Sequence, residues 1–310
     1  MKYQLIKSFG VATLAAAVAA CGGSGSGSGS GSNDSSSTGT MSLDITDAPT
    51  SQFSKVVITF TGVTLKPADG EAIVFDFDEP KVLDLLELQG GETAPLLEGV
   101  EVLAGDYNWI RLTLDEDNLY VVDDSDGGGQ KMLAVPSSVL RLVSGFTVAQ
   151  GAQNNFTIDF DARKSIVNPQ GSPMGADYFL KPALRLVNNL DVGSISGQVD
   201  YATINSDDSL VACDYEGSVY VYEGIVDETD LSDLNVNETE GQPLMVIPVT
   251  LEESLFSYTA AFLNEGDYTI SYSCQLDDNE DNDTLEFLGT QNLTVVANTQ
   301  TTAETIPLTE

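Results

Sequence analysis

The residues best placed to do chemistry are carboxylates. The run Asp277-Asp278-Asn279-Glu280-Asp281-Asn282-Asp283 sets acids and amides at one-residue spacing. That is a donor set suited to Ca²⁺, which takes six to eight oxygens from flexible loops. Asp277, Asp278, Asn279, Asp281 and Asp283 are the candidate ligands. The run is not an EF-hand loop, because Asn282 stands where the turn glycine belongs and Leu288 where the bidentate glutamate belongs. Its plainer reading is a solvated acidic hairpin tip. No cofactor other than such a cation is implied. Two further pairs, Asp76 with Asp78 and Asp159 with Asp161, alternate with apolar residues, so each pair projects from one strand face. Carboxylates separated by about 5 to 10 Å can cleave glycosides. Alternation produces such pairs on any solvated sheet, however, so no residue is assigned a catalytic role. Arg163 and Lys164, directly after Asp161, are expected to form local ion pairs of little worth if exposed. The single tryptophan, Trp109, shares a strand parity with Arg111 and Thr113, opposite Ile110, Leu112 and Leu114. On a solvent face Trp109 and Arg111 would form a stacking platform for a sugar or peptide; a β-bulge would instead return the indole to a core.

Composition narrows the chemistry further. The chain has 310 residues, 42% of them apolar, enough to bury one or two cores. Twelve Lys and Arg face 48 Asp and Glu, a net charge of −36. Such a surface repels phosphate backbones, so nucleic acid is excluded as a partner. There is no histidine. Triads built on an imidazole base and the common zinc sites are therefore absent.

The first residues concern location. Lys2 and Lys7 precede the apolar stretch 9–20, and Val18-Ala19-Ala20-Cys21 closes it. Residues 1–20 read as a signal peptide, since the run is too short to span a bilayer comfortably. Small residues ahead of a cysteine resemble the lipobox of bacterial lipoproteins, which implies lipidation of Cys21 and a membrane partner held through that anchor. Gly22, rather than Asp, follows the cysteine and resembles the sorting pattern for the outer membrane. Residues 21–38 are dominated by Gly and Ser and read as a tether with a coil dimension on the order of 25 Å.

Two folded units are expected beyond the tether, over 39–191 and 193–310. In the first, Val56, Ile58 and Phe60 alternate with Val57, Thr59 and Thr61, and Phe156, Ile158 and Phe160 with Thr157, Asp159 and Asp161. Val82, Leu85 and Leu86 instead follow helical spacing, with Gly90-Gly91 after them, which predicts one short helix. In the second unit Tyr268, Ile270, Tyr272 and Cys274 share one strand face. Cys213 and Cys274 are the two cysteines left in a mature exported chain and are predicted to pair. Leu103-Ala104-Gly105-Asp106-Tyr107 and Leu263-Asn264-Glu265-Gly266-Asp267-Tyr268 echo each other across the units. The fold class is all-β, two antiparallel sandwiches in tandem.

Gly39-Thr40-Met41-Ser42-Leu43-Asp44-Ile45-Thr46-Asp47-Ala48-Pro49 resembles the start of the bacterial lipoprotein family called domain of unknown function 4382. So do Leu83-Asp84-Leu85-Leu86-Glu87-Leu88-Gln89, Ala104-Gly105-Asp106-Tyr107, Asp159-Phe160-Asp161-Ala162-Arg163 and Leu180-Lys181-Pro182, in that order. The resemblance implies a prealbumin-like sandwich in an exported, lipid-anchored protein and brings no catalytic residue. Gly193-Ser194-Ile195-Ser196-Gly197-Gln198-Val199, and Phe256-Ser257-Tyr258 ahead of Glu265-Gly266-Asp267-Tyr268, resemble the transthyretin-like, carboxypeptidase-regulatory sandwiches, modules that accompany enzymes and transporters without being catalytic. Together these readings predict a non-enzymatic, lipid-anchored envelope protein acting as a display or binding module, with an envelope protein or glycan as partner. The alternatives are a cation-dependent adhesin or polysaccharide-binding subunit and, third, a carboxylate-based glycoside hydrolase.

Overall fold

Alternating apolar side chains give strands, and the strands close two cores. The computed structural model describes residues 37–48, 53–123, 128–169, 175–206, 212–252, 254–279 and 281–307. Cys21, the leader and most of the Gly/Ser segment lie outside these residues. The protein is all-β, with two sandwiches in tandem and, among the described residues, two short α-helices, Ala162–Ser165 and Tyr201–Ser206.

In the first sandwich, one sheet runs in the order Leu184–Asn188, Gln153–Asp161, Thr38–Ala48, Ala94–Leu103. Facing it is a larger sheet centred on Phe53–Pro67, which pairs with Tyr120–Asp123, Ile73–Asp84 and Gly105–Leu114. Met41, Leu43, Ile45, Phe156 and Ile158 from one sheet and Ile58, Phe60, Ile110 and Leu112 from the other belong to one buried cluster. Phe53–Pro67 is buried on both faces, Val56 and Ile58 fully and Val57 and Thr59 nearly so. In the second sandwich the sheets are Thr250–Glu252, Leu255–Asn264, Val192–Val199, Gln300–Thr302 and Met245–Pro248, Ser218–Glu223, Gly266–Ser273, Leu288–Val295. Most ladders are antiparallel. Thr38–Ala48 with Gln153–Asp161, Gly129–Ala134 with Tyr178–Leu180, and Val192–Val199 with Gln300–Thr302 run parallel. The two sandwiches pack together, so that residues Ser36–Glu310 form a single unit.

The expected helix near Leu85 is a single 3₁₀ turn, Leu85–Glu87. Ladder pairing decides this: Val82 and Leu83 lie opposite Thr59 and Ile58, so the strand captures them and leaves Val82 63% exposed. The Asp84 carboxylate then accepts from Leu86 N at 3.3 Å and from Val56 N at 3.1 Å, ending the strand and starting the turn.

The echo between the units is structural. Tyr107 donates its hydroxyl to Leu103 O at 2.8 Å, and Tyr268 to Asn264 O at 3.0 Å, each four residues back. Asp106 accepts from the Thr147 hydroxyl at 2.6 Å, as Asp267 does from Thr294 at 2.7 Å. Both rings are buried. The same Gly-Asp-Tyr corner thus closes each sandwich with a tyrosine anchored at both ends.

Candidate functional site

The acidic loops of the second sandwich are held down by apolar residues. Tyr220 and Tyr222 point outward from Ser218–Glu223 and are buried there with Leu234 and Val246, with Leu285 and Phe287 packed over them. The Phe287 ring meets that of Tyr220 edge-on at 5.2 Å. Both faces of Gly266–Ser273 are therefore buried, Thr269, Ser271 and Ser273 as fully as Ile270 and Tyr272. The Cys213–Cys274 disulfide fixes the chain where the acidic run begins.

From that base, loop residues distant in sequence meet. The backbone N–H of Asp283 donates to Asp233 Oδ2 at 2.6 Å, and that of Asp278 to Asp283 Oδ2 at 2.6 Å. Val236 N donates to Asn279 O at 2.8 Å, and Asn235 Nδ2 to Asn282 Oδ1 at 2.8 Å. One carboxylate oxygen from each of Asp233, Asp277 and Asp283 lies within 4.8 Å of the others. Burial, followed by the charges of Asp277 and Asp283, pushes the Asp233 carboxyl above its ordinary range.

Of the five residues singled out in the acidic run, the structure brings Asp277 and Asp283 together. Asn279 turns instead toward Arg163, while Asp278 and Asp281 are exposed and line a groove of about 660 Å³ with Lys164, Lys181 and Val236. Asp233 ends the acidic stretch Asp227-Glu228-Thr229-Asp230-Leu231-Ser232-Asp233, which sequence reasoning does not single out, and the packing of Leu234 against Tyr220 and Tyr222 brings it in.

Across this group the two sandwiches are joined. Asp161 caps the turn Ala162–Ser165 by accepting from Lys164 N at 3.0 Å. Lys164 returns to Asp161 Oδ2 at 3.5 Å, the local pair expected, and also donates to Pro243 O and Leu244 O at 2.9 and 3.0 Å. Arg163 does something different. The helical turn aims it at the second sandwich, where Nη2 lies 2.8 Å from Asp277 Oδ2, the two side chains being 6% and 1% exposed. It also donates to Asp277 O at 3.3 Å and, through Nε, to Asn279 Oδ1. Asp277 Oδ2 further accepts from Tyr220 Oη at 2.7 Å. Burial, with the Asp277 charge behind it, drives the Tyr220 hydroxyl far above the usual phenol range and keeps it a donor.

A second constellation lies on the larger sheet of the first sandwich. A register shift falls between Lys66 opposite Trp109 and Pro67 opposite Tyr107. That bulge takes Tyr107 into the core and leaves Trp109 half-buried on the outer face, so it does not return the indole to a core. Arg111 and Arg141 face each other directly across neighbouring strands. Their guanidinium carbons sit 4.9 and 4.7 Å from the Trp109 ring centre. Arg111 Nε is buried without a hydrogen-bond partner.

Each pair of carboxylates keeps to its own strand, and the charge of Asp159 acts on Asp161. Asp76 and Asp78 are exposed on a strand. Asp159 is engaged by Arg185 Nε at 2.6 Å, and Asp161 is the cap already described. No helix among the described residues is long and apolar enough to cross a membrane.

Comparison with other proteins places part of this architecture. Among curated proteins, none matches the chain. The TIE protein of Bacillus anthracis is similar at 10% identity and a TM-score of 0.18, over 86% of this chain and 33% of that one, so this chain spans about a third of its length. A Bacteroides ovatus protein provisionally described as an adhesin is similar at 11% identity and TM-score 0.22, over 92% and 95% of the two chains. A Bacteroides fragilis protein provisionally described as a cell adhesion protein is similar at 9% identity and TM-score 0.22, over 87% and 94%. At these scores the likenesses carry no argument about function. Residues 38–182, which make up nearly all of the first sandwich, match the family described as a domain of unknown function, DUF4382.

Proposed function

We propose that the protein is a non-catalytic binding module of the bacterial cell envelope, anchored through lipid on Cys21 and displayed on the tether 21–38, and that its Trp109 face binds individual acidic sugars of a glycan, the two guanidiniums there outweighing at close range the repulsion that the net charge of −36 exerts on a polyanion, which salt screens beyond about 8 Å. The observation that carries the binding role is the pairing of Arg111 with Arg141 over Trp109. Like charges directly opposite on adjacent strands are destabilising. In a chain with 12 basic residues, two set side by side against an aromatic ring make a subsite for a carboxylate or sulfate. The anchor is supported by Lys2, Lys7 and the Ala19-Ala20-Cys21-Gly22 junction.

The single tryptophan is also the probe. Polygalacturonate titrated into the purified protein is expected to shift or quench its fluorescence, and neutral dextran to leave it unchanged. Arg111→Gln with Arg141→Gln is expected to weaken binding at least about tenfold, since each charge-assisted hydrogen bond contributes roughly 1.5 to 3 kcal/mol. Equal responses to both polymers, or a response that survives the double substitution, would overturn the reading. Incorporation of labelled palmitate, lost in Cys21→Ser, checks the anchor separately.

A further inference from the structure

We infer that Asp233, Asp277 and Asp283 form a Ca²⁺ site at the junction of the two sandwiches. The site is independent of the Trp109 face. Three features carry it. The first is geometry: oxygens bound about 2.3 to 2.6 Å from one Ca²⁺ lie no more than about 5 Å apart. The three carboxylates meet that bound as they stand, within 4.8 Å of one another.

The second is an unpartnered atom. Asp277 has a side chain 1% exposed. Its Oδ2 is engaged by Arg163, Tyr220 and, at 3.4 Å, Leu234 N, whereas Oδ1 is sealed from solvent with no hydrogen-bond donor. A buried carboxylate oxygen left without a donor is costly, and a bound cation removes that cost.

The third is charge. Asp233, Asp277 and Asp283 contribute three negative charges and Arg163 one positive, a net of −2 that a single divalent ion neutralises. The donors are all oxygen, a hard set that favours Ca²⁺ over softer metals. Water and loop carbonyls would complete the shell. Because the loops carrying the site pack on Tyr220 and Tyr222 and reach Arg163, the ion would tie the acidic loops to the first sandwich.

The test uses the purified full chain, freed of metal with chelator, in buffer at physiological salt. CaCl₂ is titrated by calorimetry, and Tb³⁺ luminescence excited through the tyrosines provides a second signal, with Tyr220 beside Asp277 as sensitiser. One saturable site per chain is expected, with a Kd of roughly 10⁻⁴ to 10⁻³ M, the range of extracellular Ca²⁺ modules. Asp233→Asn and Asp283→Asn should each weaken it at least about tenfold, as loss of a charged ligand does, while Asp278→Asn and Asp281→Asn should change it less than about threefold. Equal weakening by all four would show diffuse counterion attraction and overturn the site. The wild-type chain decides the matter even if a variant does not fold. A melting temperature that rises by a few degrees in Ca²⁺ and falls back with chelator supports the site, and one indifferent to both overturns it.

Discussion

Arg163 shows how much one side chain can carry between two cores. Its guanidinium meets Asp277 and Asn279 in a place where neither Arg163 nor the Asp277 carboxylate is exposed to solvent beyond a few per cent. An ion pair so buried has paid desolvation on both sides, so removing one partner is far worse than never having had the pair. Arg163→Met should therefore destabilise the protein by roughly 3 to 5 kcal/mol, read as a fall in the urea midpoint. Arg163→Met combined with Asp277→Asn leaves no uncompensated charge and should recover most of that loss. A single variant that unfolds at the wild-type midpoint would show that the pair contributes nothing. Gly217 illustrates a different constraint. It has φ +93°, and a Cβ there would run into the Tyr272 ring, whose hydroxyl donates to Glu216 O at 2.6 Å. Gly217→Ala is expected to lower the melting temperature by several degrees through strain and displacement of that ring.

Among the elements, the two Gly-Asp-Tyr corners and the disulfide each tie neighbouring segments together, the disulfide more strongly. Tyr107→Phe and Tyr268→Phe each remove one hydrogen bond to a carbonyl four residues back and should each cost about 1 kcal/mol in equilibrium unfolding. Cys213→Ser with Cys274→Ser opens a link across 61 residues, worth roughly 4 kcal/mol by chain entropy, and thermal melting of oxidised against reduced protein measures it directly. These features are legible in the residues. The corner repeats as a short motif, and two cysteines left in one unit have a single way to pair. The spacing near Leu85 misleads because ladder pairing with Phe53–Pro67 outweighs the helical placement of three leucine and valine side chains, and such pairing joins segments that local sequence does not connect. Asp233 and the reach of Arg163 are illegible for the same reason. Each depends on which residue lies beneath a loop, Leu234 on Tyr220 in one case and Asp277 across the junction in the other. The side of the bulge that faces inward also decides between Tyr107 and Trp109, and alternation alone gives no sign of that choice.

At the scale of the whole molecule, the dominant force left unbalanced is repulsion. The chain carries −36, and residues 193–310 hold 24 acids with no Lys or Arg. The folded state adds to this. Burial, then the charge of Glu98, raises the Asp44 carboxyl above its ordinary range, and burial outweighs Lys164 in raising Asp161. A carboxyl whose folded value is raised binds its proton more tightly in the folded chain than in the unfolded one. Its contribution to stability is thus complete below the unfolded value of 3.8 and is lost as pH climbs through the folded value. Stability measured with chelator present should accordingly rise as pH falls from neutral through the raised folded values of these carboxyls, the opposite of ordinary acid unfolding. Added NaCl at pH 7 should act in the same direction, because the screening length shrinks from about 8 Å at physiological ionic strength to about 3 Å at 1 M. Asp161→Asn keeps a competent cap and loses the titrating group, so it should flatten part of the pH slope while leaving the salt response in place. A melting temperature that instead drops steadily as pH falls would mean that carboxylates the folded chain holds as anions outweigh both the buried acids and the surplus charge.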